Sequence, residues 1–101
     1  MHGGVYTIEE IREIVSPIAA AYGVNAVFLF GSYARGEATA DSDIDLLIDH
    51  GRIRTLFELT GFRLDLEDVL HKSVDVVTIE DLPPRLSASI HKDEVMIFDA
   101  A

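Results

Sequence analysis

Four short segments rich in β-branched and aromatic residues alternate along this chain with segments whose apolar residues recur at helical spacing. Segments of this length and composition are typical of strands. We place the four strands at residues 24–30, 43–49, 74–79 and 95–98. Two amphipathic helices precede the first and third strands, a short helix is expected near Ser32, and another from Pro83-Pro84 to about Ile90. This order predicts an α/β (α+β) fold, with a single small mixed β-sheet flanked by helices.

Local signals define the two long helices. Thr7 followed by Glu10 fits an N-terminal capping box, and Gly23 fits the end of the first helix. Pro17 lies inside this helix and is expected to kink or break it. The apolar face of the second long helix is predicted to consist of Leu56, Leu59, Phe62, Leu66, Val69 and Leu70.

Composition narrows the classes of function. The 101 residues suffice for one hydrophobic core, so we expect residues 1–101 to form one domain. Eight Lys and Arg against eighteen Asp and Glu give a net charge of −10, which disfavours a long nucleic-acid substrate. The absence of cysteine excludes disulfides and thiolate zinc sites. With no signal-peptide pattern and no apolar run of membrane length, we expect a cytoplasmic protein without a membrane partner.

The chemistry is concentrated in one motif, Gly31-Ser32 followed after ten residues by Asp43-Ile44-Asp45. A glycine directly after a buried strand allows close approach of a ligand, and a helix beginning there directs free N–H groups toward an anion. Asp43 and Asp45, two residues apart on a strand, present hard oxygen ligands on one face, as magnesium requires. The motif therefore predicts a phosphate-binding loop beside a metal site.

Asp75 is a third candidate ligand. It lies in the apolar strand segment Val74-Asp75-Val76-Val77, where a charged side chain, if it is buried, needs a partner such as a metal ion. If this strand lies beside the strand of Asp45, the three carboxylates can form one site. In two-metal phosphoryl transfer, a bridging carboxylate can also help to remove the proton of the nucleophile, and we assign that role to Asp75 as a hypothesis.

At these residues the sequence resembles the nucleotidyltransferase superfamily typified by DNA polymerase β, and most closely its minimal members, the MNT-type antitoxins. The resemblance rests on Gly31-Ser32-Tyr33-Ala34-Arg35-Gly36, on Asp43-Ile44-Asp45-Leu46-Leu47 and on the Asp75 strand. It extends over nearly the whole chain, because the order of helices and strands follows that of the family. The resemblance implies a polymerase β-like fold, catalytic and metal-binding roles for Asp43, Asp45 and Asp75, and nucleotide binding at Gly31, Ser32 and Arg35.

The resemblance also implies a reaction and a partner. Family members transfer a nucleoside monophosphate, usually AMP from ATP with two Mg²⁺ ions, and release pyrophosphate. Members of this size are typically paired with an HEPN-domain ribonuclease toxin and resemble enzymes that adenylylate a toxin tyrosine, which implies a hetero-oligomer with that partner. Two alternatives remain open: a non-catalytic module that neutralises its partner by occlusion, and transfer to a small molecule or RNA.

Three features of the sequence allow more than one interpretation. Arg35 fits either a triphosphate ligand or a surface partner of Glu37. Tyr33 can either stack on a base or pack inward. The acidic residues of segment 65–68 fit the solvent-exposed face of the second long helix, or a surface that meets a basic partner.

Overall fold

The computed structural model describes residues 4–85 and 92–101 of the chain, and its strands form one mixed sheet. The strands are β1 (Ala26–Phe30), β2 (Ile44–Asp49), β3 (Val74–Thr78) and β4 (Val95–Asp99). They lie in the order β3-β2-β1-β4. Strand β1 is antiparallel to β2 and β4, whereas β2 and β3 are parallel. The predicted mixed sheet flanked by helices is thus confirmed.

Helix α1 (Ile8–Tyr22) has the ends that its sequence predicts. The Thr7 side chain accepts a hydrogen bond from the Glu10 backbone, and the Glu10 side chain accepts one from the Thr7 backbone. Gly23 ends the helix in the left-handed conformation, with a φ of 73°. Pro17 lies inside this helix, which continues through it, so the expected break does not occur.

Helix α3 (Leu56–Leu70) also begins with a capping box, formed by Thr55 and Glu58. The prediction of its buried face is wrong at both margins, because Leu56 is 81% exposed and Val69 is 44% exposed. At about 100° per residue, these two side chains lie on either side of the buried stripe, and α1 and β3 pack against the centre of that stripe. The fully buried residues of α3 are Phe62, Leu66 and Leu70.

The hydrophobic core lies between the sheet and the two long helices. Strand β2 contributes Ile44, Leu46 and Ile48 to this core, so Asp45 faces the opposite side of the sheet. Helix α1 contributes Ile11, Val15 and Ala19. The sheet thereby separates the apolar core from the face that carries the motif carboxylate.

Shorter elements complete the described chain. Helix α2 (Gly31–Arg35) follows β1 directly, and a 3₁₀ helix (Ile79–Asp81) follows β3. Pro84, Arg85, Lys92 and Asp93 are helical, while most of the helix predicted from Pro83-Pro84 to Ile90 lies outside the described residues. Within the described part of the chain, no helix has the length and apolarity needed to cross a membrane.

Candidate active site

Gly31, the first residue of α2, is in direct contact with Asp45. Its φ is +75°, a backbone conformation that L side chains rarely adopt. A Cβ atom at this position would lie 2.2 Å from Asp45 Oδ2 and 3.1 Å from Asp45 Cγ. Because Phe30 pairs with Asp45 across β1 and β2, the backbone at Gly31 and the Asp45 carboxylate occupy the same edge of the sheet. Only glycine fits at this position without moving the carboxylate.

Helix α2 presents backbone donors beside this carboxylate. The N–H groups of its first turn have no acceptor within the helix. Ser32 is half-buried and adds a hydroxyl to the same turn. Gly36 ends the helix with a φ of 74°, and the Glu37 amide donates to the Ser32 carbonyl over 2.9 Å. The short helix predicted near Ser32 is therefore present, and its first residue, Gly31, lies against Asp45.

Asp45 and Asp75 form a close carboxylate pair. They are direct partners in the parallel register of β2 and β3, so the strand adjacency on which the Asp75 hypothesis depends is present. Burial raises the pKa of Asp45 to about 6, helped by the charge of Asp75, a hydrogen bond with Asp75 and the charge of Asp43, while Arg35 opposes the shift. Two carboxylates in this arrangement resist joint ionisation and are expected to attract a cation.

Asp43 lies one residue before β2 and is exposed. Within residues 4–85 and 92–101, no three His, Cys, Asp or Glu side chains are grouped so that they could hold a metal ion together. Asp45 and Asp75 face each other across β2 and β3, while the three-carboxylate metal site stays a prediction. Asp43 is not grouped with this pair in the described part of the chain. Its charge nonetheless acts on Asp45.

Arg35 is at the end of α2 and is partly exposed. Its Nε lies 3.0 Å from Glu37 Oε1, and its Nη1 lies 3.9 Å from Asp93 Oδ2. Its charge lowers the pKa of Asp45, which places the guanidinium within electrostatic range of the carboxylate pair. Exposed ion pairs of this kind contribute only about 0–1 kcal/mol to stability. The pairing with Glu37 therefore leaves Arg35 available to bind a triphosphate.

Tyr33 packs inward and is 3% exposed. This outcome excludes the alternative in which its ring stacks on a nucleotide base. Its hydroxyl is buried and has no hydrogen-bond partner among the described residues. An unpaired buried hydroxyl costs about 1–3 kcal/mol. The side chain therefore anchors α2 to the core by its ring rather than by its hydroxyl.

Lys72 is a residue near the site that the sequence analysis did not identify. Its Nζ donates to the Ala40 carbonyl over 2.6 Å and lies 3.4 Å from the Ser42 carbonyl. The Ser42 amide also donates to the Thr39 carbonyl over 3.0 Å, which closes a turn just before Asp43. Lys72 thus connects the segment before β3 to the loop that positions Asp43. A contact over 30 residues leaves no periodic signal in the sequence.

Comparison with known proteins identifies the family. The model of the polymerase beta nucleotidyltransferase family matches residues 10–101. The chain belongs to this nucleotidyltransferase family. A nucleotidyltransferase relative from Methanocaldococcus jannaschii, which bears a protein adenylyltransferase name, is 40% identical over 88 residues, covering 87% of this chain and 95% of the relative. The protein adenylyltransferase MntA of Thermococcus cleftensis is 33% identical over 95 residues, covering 90% and 96%.

Solved structures agree with this family assignment. A structure described as a minimal nucleotidyltransferase is 38% identical, with a TM-score of 0.76 and coverage of 89% of this chain and 95% of the other. A complex of a tri-AMPylated Shewanella oneidensis HEPN toxin with an MNT antitoxin contains a chain that is 14% identical, with a TM-score of 0.72 and coverage of 93% and 74%. The second similarity shows the fold alone. The nucleotidyltransferase fold predicted from the sequence is confirmed.

Proposed function

We propose that this nucleotidyltransferase transfers AMP from ATP to a tyrosine hydroxyl of an HEPN-domain toxin and thereby acts as an antitoxin. The proposal is supported by relatives named as protein adenylyltransferases and by the shared fold of an MNT antitoxin bound to an AMPylated HEPN toxin. The observation that carries it is the juxtaposition of Asp45 and Asp75 next to the backbone of Gly31. This arrangement supports a cation site beside a phosphate site.

The donor set fits magnesium. Carboxylate oxygens are hard ligands, and the raised pKa of Asp45 reflects burial together with negative charge that a divalent cation would offset. We propose that Asp45 and Asp75 hold Mg²⁺ and that the exposed Asp43 rotates to complete the set, with two ions bound when ATP is present. Magnesium supplies charge neutralisation of the triphosphate and polarisation of the transferred phosphoryl group.

The protein's own groups are assigned as follows. The first-turn N–H groups of α2 and the Ser32 hydroxyl donate hydrogen bonds to triphosphate oxygens. Arg35 leaves its ion pair with Glu37 and pairs with the negatively charged triphosphate instead. Asp75 accepts the proton of the attacking hydroxyl. The hydroxyl oxygen forms a bond to the α-phosphorus while the bond to the β-phosphate bridging oxygen breaks, and pyrophosphate leaves. The product is a phosphodiester between AMP and the partner.

Mass spectrometry of the partner tests the reaction. The protein is incubated with ATP, Mg²⁺ and a purified HEPN-domain protein from the same organism, and the intact mass and the modified residue are determined. We expect the addition of AMP to a tyrosine, and no addition when Mg²⁺ is chelated. The absence of AMP on the partner at saturating ATP would refute transfer to this acceptor.

Asp75→Asn separates catalysis from occlusion. The variant should still bind the partner but should not modify it, because the amide neither accepts the proton nor ligates Mg²⁺ well. The modified fraction is compared with co-purification at saturating ATP and Mg²⁺, so that weaker nucleotide binding does not mimic the effect. If Asp75→Asn neutralises the toxin as fully as wild type, with no AMP on either protein, occlusion is the function.

A further inference from the structure

Helix α3 exposes two large apolar side chains in its first turn. Leu56 is 81% exposed and Phe57 is 89% exposed, and Leu64, two turns further along, is 50% exposed. Together with Thr60 and Gly61 they line a groove of about 370 Å³. We call Leu56, Phe57, Thr60 and Leu64 the α3 patch. Large aromatic and aliphatic side chains that are clustered and exposed in this way mark protein interaction sites.

The α3 patch is not required for the fold of the described chain. The core face of α3 is formed by Phe62, Leu66 and Leu70, which lie on the other side of the helix. The Thr55–Glu58 capping box fixes the first turn and so holds Leu56 and Phe57 in place. A rigid apolar surface loses little conformational entropy when a partner covers it, which favours binding.

A second cleft extends the α3 patch. Leu56 also lines a cleft of about 480 Å³ together with Ile53, Leu59 and polar residues at the ends of β2 and β3. The second cleft lies at the carboxyl ends of these strands, whereas Asp45 and Asp75 lie near their amino ends. The α3 patch faces away from the core, and Asp45 lies on the face of the sheet opposite the core, so the two sites are on opposite sides of the sheet. Asp45 and Asp49 are four positions apart on β2, which corresponds to roughly 13 Å along the strand at a rise of about 3.3 Å per residue. A partner docked on the patch therefore leaves the nucleotide site open.

The charges around the α3 patch select the kind of partner. Glu80 and Asp81 line the second cleft, where Arg54 is also part of the lining. Helix α3 itself carries four acidic residues, Glu58, Asp65, Glu67 and Asp68, against one basic residue, Arg63. Arg63, on α3, lies 3.1 Å from Glu67 and is neutralised by it. A second copy of this chain would add another charge of −10, so like charges oppose self-association there.

We propose that the α3 patch docks the protein that receives AMP, through an apolar segment of that protein bordered by Lys and Arg. This proposal rests on the proposed function. Docking on the outer side of α3 would keep the acceptor bound to the enzyme without covering the carboxylates, which raises the effective concentration of the acceptor. The interaction should weaken with salt, because the acidic side chains of α3 and of the second cleft attract the basic residues of the partner.

The test uses the double variant Leu56→Ser/Phe57→Ser, whose side chains are exposed, so that the fold is retained. The control is Val69→Ser, which removes an apolar side chain from the same helix outside the patch. Affinity for the purified HEPN-domain protein is measured by calorimetry at two salt concentrations, together with Mg²⁺-ATP affinity and circular dichroism. We expect the double variant to bind the partner at least tenfold more weakly, with unchanged Mg²⁺-ATP affinity, and the control to bind as wild type does.

The outcomes separate this proposal from the proposed function. If wild type and the double variant bind the partner equally, the α3 patch is not the docking surface, whatever the result for AMP transfer. If the double variant loses partner binding but wild type attaches no AMP, the docking surface stands and AMP transfer fails. If sedimentation shows a dimer of wild type that the double variant loses, while partner binding is unchanged, the occupant is a second copy and the proposal is overturned. If wild type does not bind the HEPN-domain protein, the proposed partner and the proposed docking surface are both refuted.

Discussion

Replacing Gly31 by alanine tests whether the backbone at the start of α2 sets the position of the Asp45 carboxylate. The chain contains a matched control in Gly36, whose φ of 74° equals that of Gly31 within a degree, but whose added Cβ would meet nothing within 4 Å. Both substitutions force alanine into the left-handed region, whereas only Gly31→Ala brings a Cβ against Asp45. The difference between the two variants therefore isolates the contact with the carboxylate.

The magnitudes can be worked out from these geometries. The left-handed conformation destabilises the folded state by about 1–2 kcal/mol for an L residue. Alanine also reduces the conformational entropy of the unfolded chain, which stabilises the protein by about 0.4–1 kcal/mol. Gly36→Ala should therefore lower the free energy of unfolding by about 1 kcal/mol. Rotation of the Asp45 carboxylate relieves the 2.2 Å contact with Oδ2 but leaves Cγ and Cβ at 3.1 and 3.3 Å. Overpacking of this kind costs about 1–3 kcal/mol. Gly31→Ala should therefore lower the free energy of unfolding by about 2–4 kcal/mol.

Urea unfolding measures these free energies, and a double-mutant cycle assigns their cause. In an Asp45→Ala background the contacts with Oδ2 and Cγ are absent and only the 3.3 Å contact with Cβ remains, so Gly31→Ala should cost little more than the roughly 1 kcal/mol of Gly36→Ala, which gives a coupling of about 1–3 kcal/mol. Binding of Mn²⁺ should weaken in Gly31→Ala and remain unchanged in Gly36→Ala, because only the former displaces a proposed ligand. Equal free-energy losses in the two glycine variants, or no coupling to Asp45, would refute the reasoning.

Three further predictions follow from the pKa, the burial and the hydrogen bonds of named groups. The pKa of Asp45 is raised from 3.8 to about 6 in the folded state, so the metal-free folded protein binds the Asp45 proton more tightly than the unfolded chain does. The stability of wild type relative to Asp45→Asn should therefore fall as the pH rises from about 4 to above 6. Urea midpoints of the two proteins that differ by the same amount at every pH would contradict this. Tyr33→Phe removes a hydroxyl that has no partner among the described residues, and it should leave the free energy of unfolding unchanged or raise it by about 1 kcal/mol. Tyr6→Phe loses the 2.7 Å hydrogen bond to the Leu70 carbonyl and should lower the free energy of unfolding by about 1 kcal/mol. A large loss of stability in Tyr33→Phe would reveal a partner for its hydroxyl. Lys72→Met should weaken Mn²⁺ binding measured by electron paramagnetic resonance, since it frees the loop before the metal site, while Lys92→Met serves as the control for charge. Loss of a positive charge alone would strengthen cation binding, so tighter or unchanged binding in Lys72→Met would exclude a positioning role.

The sequence predicted the elements whose signals are local. Both ends of α1 could be read from Thr7, Glu10 and Gly23, because capping boxes and left-handed C-caps are made by residues three or four positions apart. The predicted strands agree with the observed ones within two residues, since apolar runs bounded by polar residues report burial directly. The failure at Leu56 has the same origin, because an apolar residue in phase with a helix is assigned to the core whether or not another element covers it.

The spacing of Gly31, Asp43 and Asp45 is a property of the sequence alone, and it was sufficient to indicate phosphate and metal chemistry, because turn geometry and strand alternation act over a few residues. Only the tertiary structure decided that Asp75 lies opposite Asp45, that Lys72 reaches the loop before Asp43, and that the α3 patch remains uncovered. Each of these depends on contacts between residues that are distant along the chain. Such contacts are determined by how the sheet and helices pack together, and the period of a single segment carries no record of them.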